Sequence, residues 1–152
     1  MATVYSKPIL RSMRVGDRIS FIRKLRHLSQ PEFARKTGLI TSNGRNLICR
    51  YERTDRIPKP YKLECFAEVL DINIRMIEPY DFSDPSDVYY VMLWMEELCP
   101  NFTLNRHRMD GDMNESQRVL TDRFLSWQYM KKKYENNEIS YDEYWNWKLK
   151  KE

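Results

Sequence analysis

A chain of 152 residues that is 41% hydrophobic, with only four Gly and seven Pro, can bury a core. That composition excludes a disordered, low-complexity or loop-dominated protein. The net charge of +4 hides an asymmetry: residues 1–62 carry fifteen Lys/Arg against four Asp/Glu, a net of +11, while residues 63–152 net −7. A basic half joined to an acidic half points the first toward phosphate backbones, where each Lys or Arg contact releases condensed counterions. A merely solvated basic face is the alternative.

No stretch approaches the roughly 20 apolar residues of a membrane span. The N-terminal residues Met1-Ala2-Thr3-Val4-Tyr5-Ser6-Lys7-Pro8 lack the apolar core of a signal peptide. A cytoplasmic location is therefore expected. Cys49, Cys65 and Cys99 are odd in number, widely spaced and accompanied only by His27 and His107, so free thiols are expected and no metal site. No cofactor is implied. No phosphate-cradling glycine loop or nucleophile–base arrangement supports an enzyme.

Residues 1–13 have no helical period and read as a flexible basic arm, either disordered or tracking a DNA groove. From Val15 the apolar residues Val15, Ile19, Ile22 and Leu25 recur at helical spacing, with Arg18, Arg23, Lys24 and Arg26 on the opposite face. Ser29-Gln30-Pro31-Glu32 is a capping box with an early proline. It opens a short helix with Phe33 and Ala34 inward, closed by Gly38. Residues 39–44 read as a turn, and 45–53 as a second short helix. On that helix Ile48, Tyr51 and Glu52 share one side, and Asn46, Arg50 and Arg53 the other. Residues 61–70 form a further amphipathic helix with Leu63, Phe66, Ala67 and Leu70 inward. A brief fifth helix over 72–77 is stopped by Pro79.

Residues 79–85 read as a linker. An apolar helix spans 88–98, marked by Val88, Val91, Met92, Met95 and Leu98. Phe102-Thr103-Leu104 and Asp110-Gly111 suggest a small hairpin. A long helix over 115–136 aligns Leu120, Phe124, Trp127, Met130 and Tyr134, and Lys131-Lys132-Lys133 reads as a solvated face or a source of added phosphate contacts. Ser140-Tyr141-Asp142-Glu143 is a second capping box, starting a last helix to Lys150. The tail aromatics either form the core of this helical hairpin or build a partner surface, where Trp and Tyr are enriched.

The run over 15–73 resembles a Cro/repressor-type helix-turn-helix of the xenobiotic-response-element family. The pieces that carry the likeness are Gly16-Asp17-Arg18-Ile19, Leu28-Ser29-Gln30 with Phe33-Ala34 and Thr37-Gly38, Ile48 with Arg50-Tyr51-Glu52-Arg53, Arg56 with Pro58, and Phe66-Ala67 with Leu70-Asp71-Ile72. The interval from Gly38 to Tyr51 is about four residues longer than the family pattern. That longer turn, with Trp127, Glu138-Ile139-Ser140, Glu143-Tyr144 and Trp147-Lys148, resembles an uncharacterised subgroup of Gram-positive and mobile-element regulators with a helical tail.

The resemblance implies an all-α fold: a lambda-repressor-like five-helix DNA-binding domain over 14–80, then a three-helix region over 86–150 ending in a hairpin. It implies a sequence-specific regulator of double-stranded DNA, a repressor and a homodimer, with a recognition helix at about 44–53. Gln30 would contact phosphate and brace that helix. Arg45, Asn46 and Arg50 would read bases, and Arg53 and Arg56 would sit near phosphates, with Lys59 a weaker candidate. Glu52 would serve as an internal partner for an arginine, since a carboxylate repels phosphate. The other reading is an interaction or inhibitor protein of antitoxin or anti-defence type. There the helix-turn-helix autoregulates its own promoter and the C-terminal helices bind a protein partner.

Overall fold

The computed structural model describes residues 7–53, 56–99 and 114–151. Among these residues all regular structure is helical, with no strand. The elements are α1 (Val15–Leu25), α2 (Gln30–Lys36), α3 (Gly44–Glu52), α4 (Pro60–Leu70), a 3-10 turn (Ile74–Met76), α5 (Ser86–Leu98), α6 (Glu115–Glu135) and α7 (Tyr141–Lys148). The chain divides into two compact units. One holds residues 1–79 together with 149–152, the other residues 80–148. The hairpin expected over 102–111 and the first six residues of the expected arm lie outside the described residues.

In the first unit α1 is the central element, with eight of its eleven residues buried. Its expected charged face is corrected accordingly. Arg18 is 1% exposed and Arg23 6%. A buried guanidinium must find partners for its fixed fork of donors. Arg18 donates from Nε to the Met13 carbonyl at 2.9 Å, from Nη1 to the Met76 carbonyl at 2.7 Å and from Nη2 to the Glu78 carbonyl at 2.8 Å. Arg26 donates to the Leu70 carbonyl at the end of α4 at 2.8 Å. Three of the basic residues counted toward the +11 half thus serve the fold. Residues 10–13 of the expected arm are also tied down: Leu10 is buried, and the Ser12 hydroxyl donates to Asp17.

The helix ends are closed locally. Ser29 Oγ accepts from the Glu32 amide while the Glu32 carboxylate accepts from the Ser29 amide at 2.7 Å, completing the expected capping box. Hydrogen bonds from the Ser29 side chain and the Ser29 amide to the Glu32 carboxylate hold that carboxyl below its ordinary range. Gly38 takes φ +76°. There it lets its own amide reach the Arg35 carbonyl and the Leu39 amide the Ala34 carbonyl, a Schellman closure. His27, Asp71 and Asn137 close α1, α4 and α6 in the same left-handed conformation without being glycine. The expected fifth helix is shorter than the sequence suggests, reduced to the 3-10 turn capped by Asn73. The Asn73 amide also donates to the Leu149 carbonyl at 2.8 Å, and Leu149 is fully buried. Residues 149–150, expected in the C-terminal helix, therefore belong to the first unit.

In the second unit α5 buries Tyr89, Tyr90, Leu93 and Trp94 rather than the stripe through Val88, Val91, Met92 and Met95. The helix is apolar nearly all round, so its period does not select a side. The α6 stripe expected from the sequence faces inward, with Trp127 fully buried and its companions half-buried. A turn over 136–140 brings α7 back against α6, capped by the Ser140–Glu143 box. Trp94 and Trp145 meet with ring centroids 5.1 Å apart.

Candidate nucleic-acid interface

The site is built on α3. Its inner side carries Ile48, fully buried, and Tyr51, which meets Phe66 of α4 edge-on at 5.8 Å. Full burial of such side chains contributes roughly 1.5–3 kcal/mol each, enough to fix the helix against α1 and α2. Its N-terminus is set by Gly44. A Cβ there would lie 2.1 Å from the Leu39 carbonyl oxygen and 3.3 Å from the Ala34 Cβ, so only glycine permits this approach of α3 to the end of α2.

The C-terminus of α3 is held by its one carboxylate. Arg23 grips Glu52 with both Nε and Nη2, the latter at 3.1 Å, while its Nη1 donates to the Leu28 carbonyl. Gln30 Nε2 donates to the same carboxylate at 2.9 Å. Both side chains of the ion pair are under 10% exposed. Glu52 is thus the internal partner of an arginine, as expected, and Gln30 braces α3 from the first turn of α2.

With its single acid consumed, α3 presents Arg45, Asn46 and Arg50 outward, followed by Arg53 at its C-cap, all exposed. At 100° per residue, Asn46 and Arg53 lie most directly opposite Ile48 and Tyr51, with Arg45 and Arg50 on the two flanks. Among the described residues no ion pair engages Arg45 or Arg50. Arg56 and Lys59 follow, both exposed. Seven residues, 37–43, separate α2 from α3. The longer interval read from the sequence is therefore a real loop, with Thr41, Ser42 and Asn43 exposed just ahead of α3. An open groove of about 640 Å³ lies beside the start of α2, where Lys7, Arg11, Lys24 and Glu32 line it together with the apolar Pro8, Ile9 and Leu28.

Sequence reasoning missed a second polar centre, in the C-terminal unit. Glu96 Oε2 of α5 accepts from Trp127 Nε1 of α6 at 3.0 Å, and from the Tyr144 hydroxyl at 2.9 Å and Lys148 Nζ at 2.8 Å of α7. Lys131 Nζ reaches its other oxygen at 3.3 Å, which corrects the reading of the lysine run as wholly solvated. Lys148 is 5% exposed and sits over the rings of Tyr144 and Trp145 at 4.6 and 4.5 Å. Burial alone would push the Glu96 carboxyl up. Lys148, Tyr144 and Lys131 together hold it below its ordinary value of 4.5. Burial pushes the Lys148 ammonium down, opposed by Glu96. Burial beside Glu96 raises the Tyr144 hydroxyl. No sequence signal separates Glu96 from its acidic neighbours; only the meeting of three helices does.

No family model, curated protein or solved structure matches the chain. Among the described residues no group of His, Cys, Asp or Glu could hold a metal ion. No helix there is long and apolar enough to cross a membrane.

Proposed function

We propose that this protein is a sequence-specific, double-stranded-DNA-binding repressor of the Cro/repressor type that reads the major groove with α3. The observation that carries the reading is the division of α3. Its inner side and both ends are fixed by Gly44, Ile48, Tyr51 and Glu52, while its outer side offers Arg45, Asn46 and Arg50, followed by Arg53 at the C-cap, with no acid. A rigid helix with a basic, amide-bearing outer face is what base readout requires, since an Arg can fork onto guanine and an Asn onto adenine. Arg45, Asn46 and Arg50 are the base readers; Arg53 and Arg56 position the helix on phosphates. Gln30, at the start of α2, contacts phosphate while bracing Glu52. In this reading α1–α4 and the 3-10 turn play the part of a lambda-repressor-like five-helix domain. A homodimer would set two copies of α3 in successive major grooves.

Selection from random duplex DNA, followed by anisotropy titrations at several salt concentrations, tests this. The wild type should enrich a palindromic site. Arg50→Ala should lose about 1–3 kcal/mol of discrimination at one base pair per half-site. Arg56→Ala should instead weaken all sequences alike and flatten the salt dependence by about one unit of slope. Absence of any sequence preference at every salt concentration overturns base readout.

A further inference from the structure

The 21 residues of α6 bury Trp127 alone. Diametrically opposite, Arg118, Asp122, Leu125, Tyr129, Lys132 and Asn136 fall within an arc of about 80°. Their spacing alternates four and three, as a straight stripe along a helix does. All six are exposed, with Leu125 at 37% and Tyr129 at 61%. Lys133 Nζ lies 4.8 Å from the centroid of the Tyr129 ring. Among the described residues no ion pair engages Asp122 or Lys132.

The order of chemistry along this stripe is self-complementary in one direction only. Laid antiparallel on itself about the level of Trp127, Asp122 faces Lys132 of a second copy, Leu125 faces Tyr129, and Arg118 faces Asn136. Each pairing occurs twice, as a two-fold axis demands. Laid parallel, Asp122 would face Asp122 and Lys132 would face Lys132. We infer that the outer face of α6 is an isologous homodimer surface, pairing antiparallel with the α6 of a second copy through Leu125–Tyr129 contacts flanked by Asp122–Lys132 ion pairs. The stripe is about 28 Å long. A single helix pair of that length buries less than the standard interface of about 1,600 Å². The dimer is accordingly one that dissociates on dilution. It rests on the DNA-binding reading only for its purpose, the two-fold that spaces two recognition helices.

Sedimentation velocity of the full chain without DNA, over a concentration series, tests the surface. The wild type should show a reversible monomer–dimer equilibrium. Asp122→Lys and Lys132→Asp should each weaken it about tenfold, because two attractive exposed pairs become repulsive. An equimolar mixture of these two variants should regain wild-type association, since every Asp122–Lys132 contact in the mixed dimer is again between opposite charges. Leu125→Lys should weaken association without rescue. Circular dichroism checks that each variant keeps its helix content. A monomer at every concentration overturns the proposal. So does a dimer indifferent to Asp122→Lys and Leu125→Lys, or a variant mixture no tighter than its components. These outcomes are independent of DNA selection, so either reading can fail alone.

Discussion

The two units bury charge to opposite ends. In the N-terminal unit the Glu52 carboxylate draws Arg23 and Gln30 inward, and Arg18 and Arg26 turn to backbone carbonyls. What remains outside on α3 is basic. In the C-terminal unit Glu96 collects donors from both other helices, Trp127 and Lys131 of α6 and Tyr144 and Lys148 of α7. The first arrangement orients one helix and leaves its far side exposed and basic. The second locks three helices together. A buried ion pair is by itself weak evidence of function.

The largest effect is expected at Glu96. Glu96→Ala leaves the Lys148 ammonium buried without its counter-ion, which should cost about 3–5 kcal/mol. All four tryptophans of the chain, Trp94, Trp127, Trp145 and Trp147, lie in this unit. Tryptophan fluorescence during urea unfolding therefore reads its loss separately from the N-terminal unit. The pH dependence has a definite sign. The folded Glu96 carboxyl titrates below 4.5, so its stabilising contribution is complete above that value and disappears as pH falls through the lower, folded one. The wild-type fluorescence transition should weaken in that acid range. Glu96→Gln, already weakened at neutral pH, should lose that part of the acid dependence. An unshifted transition in Glu96→Ala would show that the hub contributes nothing.

Glu52→Gln is the matching change in the other unit, and its effect should be smaller. Arg23 keeps the Leu28 carbonyl and Gln30 keeps a neutral acceptor. Loss of charge-assisted bonds of this kind costs about 1.5–3 kcal/mol. Unfolding followed by circular dichroism should show the destabilisation, while the tryptophan transition stays in place. On the proposed reading, DNA affinity should fall for every sequence alike, because α3 loses its alignment but keeps Arg45, Asn46 and Arg50. A change confined to one base pair would instead make Glu52 a reader.

What was legible in the sequence follows from how far each signal reaches. The capping boxes at Ser29–Glu32 and Ser140–Glu143 span three residues, so the chain declares them without tertiary help. Gly38 declared its turn because a positive φ favours glycine. His27, Asp71 and Asn137 adopt the same conformation unannounced. Periodicity located α1 but placed Arg18 and Arg23 outside, since a hydrophobic pattern assumes that charge seeks water. Their partners lie up to 60 residues away, at Met76, Glu78 and Glu52. The exposed face of α3 was legible because an outward face is a local property. Glu96 was not, because a hub exists only once three helices meet.

Gly44→Ala tests the finest part of the contrast, the placing of α3 rather than its chemistry. The new methyl would lie 2.1 Å from a backbone oxygen, which no side-chain rotation relieves. Either the 37–43 loop or the first turn of α3 must move. Overpacking of this kind typically costs about 1–3 kcal/mol. Alanine otherwise favours a helix over glycine by about 1 kcal/mol, which offsets part of that loss. The net change in unfolding free energy should therefore be the smallest of the three. The displacement itself does not cancel, and it carries Arg45 and Asn46 with it. Site selection with the variant should show degraded preference at the base pairs those residues read, with the Arg50 position better kept one turn on. Equal loss at all positions would mean that α3 moves as a rigid rod. An unchanged site would mean that the loop absorbs the methyl and that Gly44 does not set the register.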